Sequence, residues 1–256
     1  MDIRAYNREK WDKQVELGNP WTIPCSPEVI AAAREGKWSV LLTEHKPVPR
    51  EWFPRDLHGV DILGLASGGG QQGPILAAAG ANVTVFDNSP RQLEQDRLVA
   101  EREGLKLITM EGDMRDLSVF GDGCFDIVFH PVSNCFCPDV RPVWKEAYRV
   151  LRPGGSLLAG FNNPDLYIFD FALEEQGVFE VKYPLPFDAM QLSEEERYRL
   201  FGENDPLEFS HSIEEQIGGQ LEVGFMLAAL FTDQTGTPAG KYIPGYFATR
   251  AIKSIQ

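Results

Sequence analysis

The stretch Asp61-Ile62-Leu63-Gly64-Leu65-Ala66-Ser67-Gly68-Gly69-Gly70-Gln71-Gln72-Gly73 decides the fold. Ile62, Leu63, Leu65 and Ala66 make the short apolar run expected of a parallel strand buried on both faces. The run breaks into the glycines Gly68 to Gly70 and resumes as Pro74-Ile75-Leu76-Ala77-Ala78-Ala79, a helix. Pro74 suits a first helical turn, where a missing N–H costs nothing, and Gly80 suits a helix end. Strand, glycine loop and helix form the first βα turn of a doubly wound α/β fold. Glycine there lets the backbone approach a ligand closely, and the helix N-terminus offers free N–H groups.

Working outward, Gly68-x-Gly70-x-x-Gly73 matches the dinucleotide pattern literally. The strand Asn82-Val83-Thr84-Val85-Phe86-Asp87 ends in an acid placed to grip a ribose diol. Leu105 to Met110 leads into Glu111-Gly112-Asp113-Met114-Arg115-Asp116-Leu117. Cys124-Phe125-Asp126-Ile127-Val128-Phe129-His130-Pro131 follows, and after a helix comes Arg149-Val150-Leu151-Arg152-Pro153-Gly154-Gly155-Ser156-Leu157-Leu158.

In this order and approximate spacing, glycine loop, strand-end acid, Gly-Asp-Met, Phe-Asp-Ile-Val and Leu-Arg-Pro-Gly-Gly resemble the class I S-adenosylmethionine-dependent methyltransferases, particularly the broad small-molecule group. The resemblance covers residues 60 to 160 well and 209 to 252 more loosely. It implies a Rossmann-like, seven-stranded, mostly parallel sheet with the last strand antiparallel and helices on both faces. It also implies S-adenosylmethionine as cofactor and methyl transfer to a small-molecule acceptor. On this pattern Ala66, Ser67, Gly68, Gly70, Gln71 and Gln72 border the methionine and ribose, and Asp87, with Asn88 beside it, holds the ribose hydroxyls. Gly112, Asp113 and Met114 frame the adenine, with Asp113 accepting from its amino group. His130 and Pro131 end the fourth strand, close to the transferred methyl. His130, whose side chain titrates near neutrality, is the candidate general base; a backbone contact to the cofactor and simple packing are its competing readings.

The chain departs from the family's loop, which usually reads like Asp-Leu-Gly-Cys-Gly-x-Gly. Gly64 stands where the acid is usual and Ala66 where the first glycine is. Two alternatives therefore stay open. A nicotinamide-dependent oxidoreductase keeps the glycine pattern and Asp87 but leaves Gly-Asp-Met and Leu-Arg-Pro-Gly-Gly unexplained. A non-catalytic cofactor-binding protein retaining the fold would account for Gly64 and Ala66.

Composition narrows the partners. A formal net charge of −14 argues against a nucleic-acid backbone as substrate, which needs a basic track. No apolar run approaches the ~20 residues of a membrane span, and Met1 to Tyr6 shows no secretory apolar region. A cytoplasmic location is expected, and no oligomeric state is set. Cys25, Cys124, Cys135 and Cys137 contain no C-x-x-C pair, so no metal is expected and the thiols read as small hydrophobes.

The chain reads as a single domain over 1–256. Residues 1–58 form an N-terminal helical cap, with Trp11, Trp21 and Thr22 as its contacts to the cofactor. Residues 59–161 are the cofactor half. Residues 162–210 are an inserted lid or extra layer: Phe161 to Phe209 holds ten of the chain's 28 Phe, Tyr and Trp, too many for a bare linker. Residues 211–256 begin with a helix capped by Ser212 and Glu215 and end in two strands. The Pro153-Gly154-Gly155 turn is expected to end the preceding helix, with the fifth strand running from Ser156 to Phe161.

Overall fold

The structure, a computed structural model, describes residues 1–255. The strands are β1 (Asp61–Leu65), β2 (Asn82–Asp87), β3 (Leu107–Glu111), β4 (Phe125–His130), β5 (Leu151–Asn162), β6 (Phe225–Asp233) and β7 (Tyr246–Lys253). They form one seven-stranded sheet in the order β3-β2-β1-β4-β5-β7-β6. β1 to β5 pair in parallel, and β7 is antiparallel to both β5 and β6. The helices are α1 (Ile3–Leu17), α2 (Pro27–Arg34), α3 (Gln72–Ala78), α4 (Pro90–Glu103), α5 (Arg141–Val150), α6 (Phe171–Glu174), α7 (Glu194–Phe201) and α8 (Gly219–Glu222).

Alternation along the strands divides the core. Ile62, Ile127, Phe129 and Leu158 face a layer with α2, α3, α4 and the 38–57 segment. Leu63, Leu65, Val128 and Leu157 face the α5 residues Val143, Trp144, Ala147 and Val150. With both faces covered, the strands are continuously apolar, as a parallel sheet requires. Close contact across the first layer needs Gly160, because a side-chain carbon there would collide with the Leu42 carbonyl. A third apolar cluster lies beyond the sheet, where Tyr167, Phe187, Phe201 and Phe209 pack with Cys135 and with Ile3 and Tyr6 of α1. Cys135 and Cys137 are buried among these layers, and burial pushes the Cys137 thiol up to about 12.

Local signals place the helix ends. Ser89 Oγ accepts from the Gln92 N–H at 3.1 Å, capping α4 behind Pro90. Ser212 and Glu215 cap each other as expected, Glu215 N–H donating to Ser212 Oγ and Ser212 N–H to Glu215 Oε2. The turn they open is π-helical over Glu214–Gly218 before continuing as α8.

The structure changes the reading around Leu-Arg-Pro-Gly-Gly. α5 stops at Val150 and β5 begins at once, Leu151 pairing with Phe125 before the register shifts and Ser156 pairs with Ile127. Pro153-Gly154-Gly155 is therefore an irregularity within a long strand, not a helix stop. Arg152 pins it, reaching Asp61 and Asp126 at 2.8 Å each. That clasp joins three segments, and no local pattern displays it. No helix among the described residues is long and apolar enough to cross a membrane.

Candidate active site

The strand order reverses between β1 and β4, and a cavity of about 570 Å³ opens at the carboxyl ends of the strands there, where ligands bind in doubly wound sheets. Its glycine loop is built from unusual backbone. Ala66 takes φ +48°, a conformation uncommon without glycine, and its N–H donates to Phe86 O at 2.7 Å. A side chain at position 64 would collide with Ser67 Oγ, so the Ser67 hydroxyl fills the space an acid there would need. That oxygen is buried without a hydrogen-bond partner. Gly68 N–H donates to Asp87 Oδ2 at 2.9 Å. Gly69 N–H is shared between Asp96 Oδ2 and Gln92 O, both at 3.1 Å. Asp96 is fully buried on α4, and burial pushes its carboxyl well up, against the pull of the loop N–H groups.

Asp87 lines the cavity at 8% exposure. Burial raises its carboxyl, and the N–H donors of Ser89 and Gly68 work in the other direction. Asn88 lines the same wall and exchanges hydrogen bonds with Arg4 of α1, through Arg4 Nε and Arg4 O. Asp113, Met114 and Arg115 line the adjoining wall. Burial works against the Asp113 carboxylate, but the Arg115 fork, at 2.7 Å to Oδ2 and 3.1 Å to Oδ1, outweighs it and holds the carboxyl below its usual range.

α1 closes one side of the cavity. Trp11 lines it and packs edge-on against Phe136 at 5.1 Å; Trp21 lines it too, half in solvent at 44% exposure. Gln71 donates to Pro20 O and Ile23 O, and Gln72 accepts from Leu41 N–H, so both lining glutamines also tie the loop to the N-terminal segment. Asn7, which the sequence reading missed, fastens α1. It donates to Phe136 O and Leu207 O and accepts from Leu207 N–H at 2.8 Å.

The far end lies over β5 and β7. Tyr167 donates to Glu208 Oε2 and accepts from Asn162 Nδ2 at 2.7 Å; all three line the cavity. Asn162 Oδ1 is buried with no partner. Burial raises the Glu208 carboxyl, opposed by the Tyr167 hydrogen bond. Glu44, Glu174, Phe171 and Tyr246 complete this end. None of these belongs to a motif. The aromatic excess of residues 161–209 was the one visible signal.

Comparison with known proteins decides between the alternatives. A family model described as a methyltransferase domain matches residues 63–159. A Bacillus subtilis (strain 168) protein, the uncharacterized methyltransferase YbaJ, is 50% identical over 250 residues, covering 97% of this chain and 98% of its own. The chain is an S-adenosylmethionine-dependent methyltransferase. Solved methyltransferases of that class share the fold at low identity. One from Mesorhizobium loti (TM-score 0.61, 16% identity) covers 80% of this chain and 95% of its own. One from Methanosarcina mazei (TM-score 0.60, 19% identity) covers 83% and 100%. The oxidoreductase and non-catalytic alternatives are not favoured.

Four residues expected to touch the methyltransferase's cofactor, Thr22, Gly70, Gly112 and His130, do not line its cavity. Thr22 is buried with its hydroxyl donating to Asn19 O. Gly70 packs on the outside of the loop, where its carbonyl accepts from Cys25 N–H and an added carbon would meet Gln95 O at 2.9 Å. Gly112 makes room for the Phe86 ring, which any side chain there would strike. His130, the candidate base, is not on the lining either. Its ring is fully buried; Nδ1 lies 2.9 Å from Leu65 O, Nε2 lies 2.8 Å from Asn134 Oδ1, and Trp144 packs edge-on. Burial lowers its pKa. The strand pleat turns the ring away from the cavity, leaving Pro131, Val132 and Ser133 on the lining. The cavity fits the cofactor by its chemistry: a carboxylate on the lining at Asp87, a second at Asp113, an apolar wall at Phe86 and Met114, and the loop residues Ala66, Ser67 and Gly68 beside them.

Proposed function

We propose that this methyltransferase acts on a small molecule enclosed in the cavity together with the cofactor, and not on nucleic acid. The observation that carries the reading is partial enclosure. α1 and residues 162–210 are fastened to one another over the strand ends through Asn7, and the space beneath has the volume of a small-molecule site. When bound, the cofactor supplies a methyl already activated on a sulfonium. The chain's task is then in-line placement of the acceptor and exclusion of water. Asp87 holds the ribose hydroxyls, with Asn88 beside it. Asp113, shared with Arg115, meets the adenine edge, and Met114 and Phe86 flank the ring. Trp11 and Trp21 cover the opening. With His130 turned away, proximity and orientation carry the donor side of the reaction.

Thermal unfolding tests the cofactor assignment. A ligand selective for the native state at a hundred times its Kd stabilises it by about 2.7 kcal/mol. S-adenosylhomocysteine should raise the melting temperature and NAD should not; a shift with NAD alone would overturn the reading. Residues 162–210 should shield the acceptor, so that oligonucleotides leave the melting temperature unchanged.

A further inference from the structure

We propose that the acceptor is a cationic amine, seated at the far end of the cavity with its ammonium against the Glu208 carboxylate. The inference rests on the methyltransferase reading of the same cavity. Glu208 is a carboxylate prepared for a cation that the protein does not supply. Tyr167 takes Oε2 and is itself held by Asn162, which fixes the side chain; no hydrogen bond or ion pair of the described residues reaches Oε1. The cationic side chains on the lining are Arg4 and Arg115, at the opposite end, where Asn88 and Asp113 engage them. The charged neighbour of Glu208 is Asp205, also acidic, and Glu44, Glu174 and Glu175 add further carboxyl groups to the same lining.

Burying a carboxylate without a counter-charge is costly, and an ammonium offsets that cost where a neutral group does not. Asn162 Oδ1, buried and unpartnered, offers a second acceptor for an N–H donor. The aromatic side chains of Phe171 and Tyr246 on the same lining are compatible with a cation. A carboxylate or phosphate acceptor would meet like charge at Glu208 and in the other carboxyl groups of the lining. Alkylation needs the nitrogen's lone pair, and Glu208 Oε1 is where the departing proton goes. The lone pair then forms the nitrogen–methyl bond as the sulfur–methyl bond breaks, its electrons staying on sulfur.

Calorimetric titration of the full chain tests this in two stages. S-adenosylhomocysteine is titrated first, and its failure to bind would sink the cofactor reading separately. The saturated protein is then titrated with 2-phenylethylamine and tryptamine, and with their isosteric alcohols and carboxylates. The amines should bind about tenfold or more tightly than the alcohols, and the carboxylates least. Glu208→Gln should lose about tenfold in amine affinity with S-adenosylhomocysteine affinity unchanged. If that variant does not fold, Tyr167→Phe, which keeps the ring and removes the hydroxyl, should weaken amine binding about threefold or more. Absence of amine binding, equal binding of the alcohols, or a Glu208→Gln or Tyr167→Phe protein that binds amines like wild type would overturn the proposal.

Discussion

At Asp87 the carboxylate that faces the cavity also closes the glycine loop, accepting from Gly68 N–H and Ser89 N–H. A carboxylate–ribose hydrogen bond is worth about 1.5–3 kcal/mol, so Asp87→Ala should cost roughly ten- to a hundredfold in S-adenosylhomocysteine affinity by calorimetry. Asp87→Asn, which can still accept from one N–H, should keep the loop folded and lose less. His130, buried off the lining, should bear on stability. Its imidazole is held neutral in the fold, but titrates near 6.5 once released. The unfolded chain therefore gains protons first as pH falls below that value, and the His130 contribution is lost progressively. The wild-type melting temperature should drop between about pH 7.5 and about pH 5.5. His130→Gln should flatten part of that drop while S-adenosylhomocysteine affinity stays within a few-fold. A large affinity loss with unchanged pH dependence would return His130 to the binding site. The side on which His130 projects was not legible from Phe125-Asp126-Ile127-Val128-Phe129, because a strand buried on both faces carries no polar alternation to reveal it.

Between elements, two polar clusters shape the cover. Asn7 satisfies three backbone groups on two loops at once. Asn7→Ala leaves them unpaired and should destabilise by about 1–3 kcal/mol, with faster hydrogen exchange in α1 than in β1. Asp170 accepts from Arg199 and Lys182, joining α6 to α7, and both bases also reach Glu196. Arg199 chiefly, helped by Lys182, holds the Asp170 carboxyl down to about 2. Its contribution is complete above the ordinary value of 3.8 and is lost as pH falls through about 2. Lys182 and Arg199 are about a third exposed, which screens the pair. Asp170→Asn should therefore cost about 1–2 kcal/mol, read as earlier proteolysis within 163–210. Capping signals such as Ser89 and the Ser212–Glu215 pair were legible because they are written within four residues. Asn7–Leu207 and Arg152–Asp61 span far more chain, and β5 begins at Leu151 for the second reason.

For the whole molecule, the sheet order and the position of the glycine loop followed from motifs because each strand–loop–helix unit is locally complete. The far end of the cavity did not, since Asn162, Tyr167 and Glu208 meet only after residues 163–210 fold back over the strands. Hydrogen exchange should expose this division. S-adenosylhomocysteine should slow exchange in α1 and the glycine loop strongly, in residues 163–210 less, and in the edge strand β6 hardly at all. Uniform protection across all four would contradict the division. The stretch that returns from Asn162 to Ser212 supplies most of the third apolar cluster, while Asp87, Asp113 and the glycine loop lie elsewhere in the chain. On the proposed roles, the residues that would grip the donor and most of those that would choose the acceptor lie in different stretches of the chain, Glu44 and Tyr246 being the exceptions. Exchanging residues 163–210 for another stretch should then change the acceptor and leave S-adenosylhomocysteine affinity in place, provided the new stretch still presents a backbone partner to Asn7.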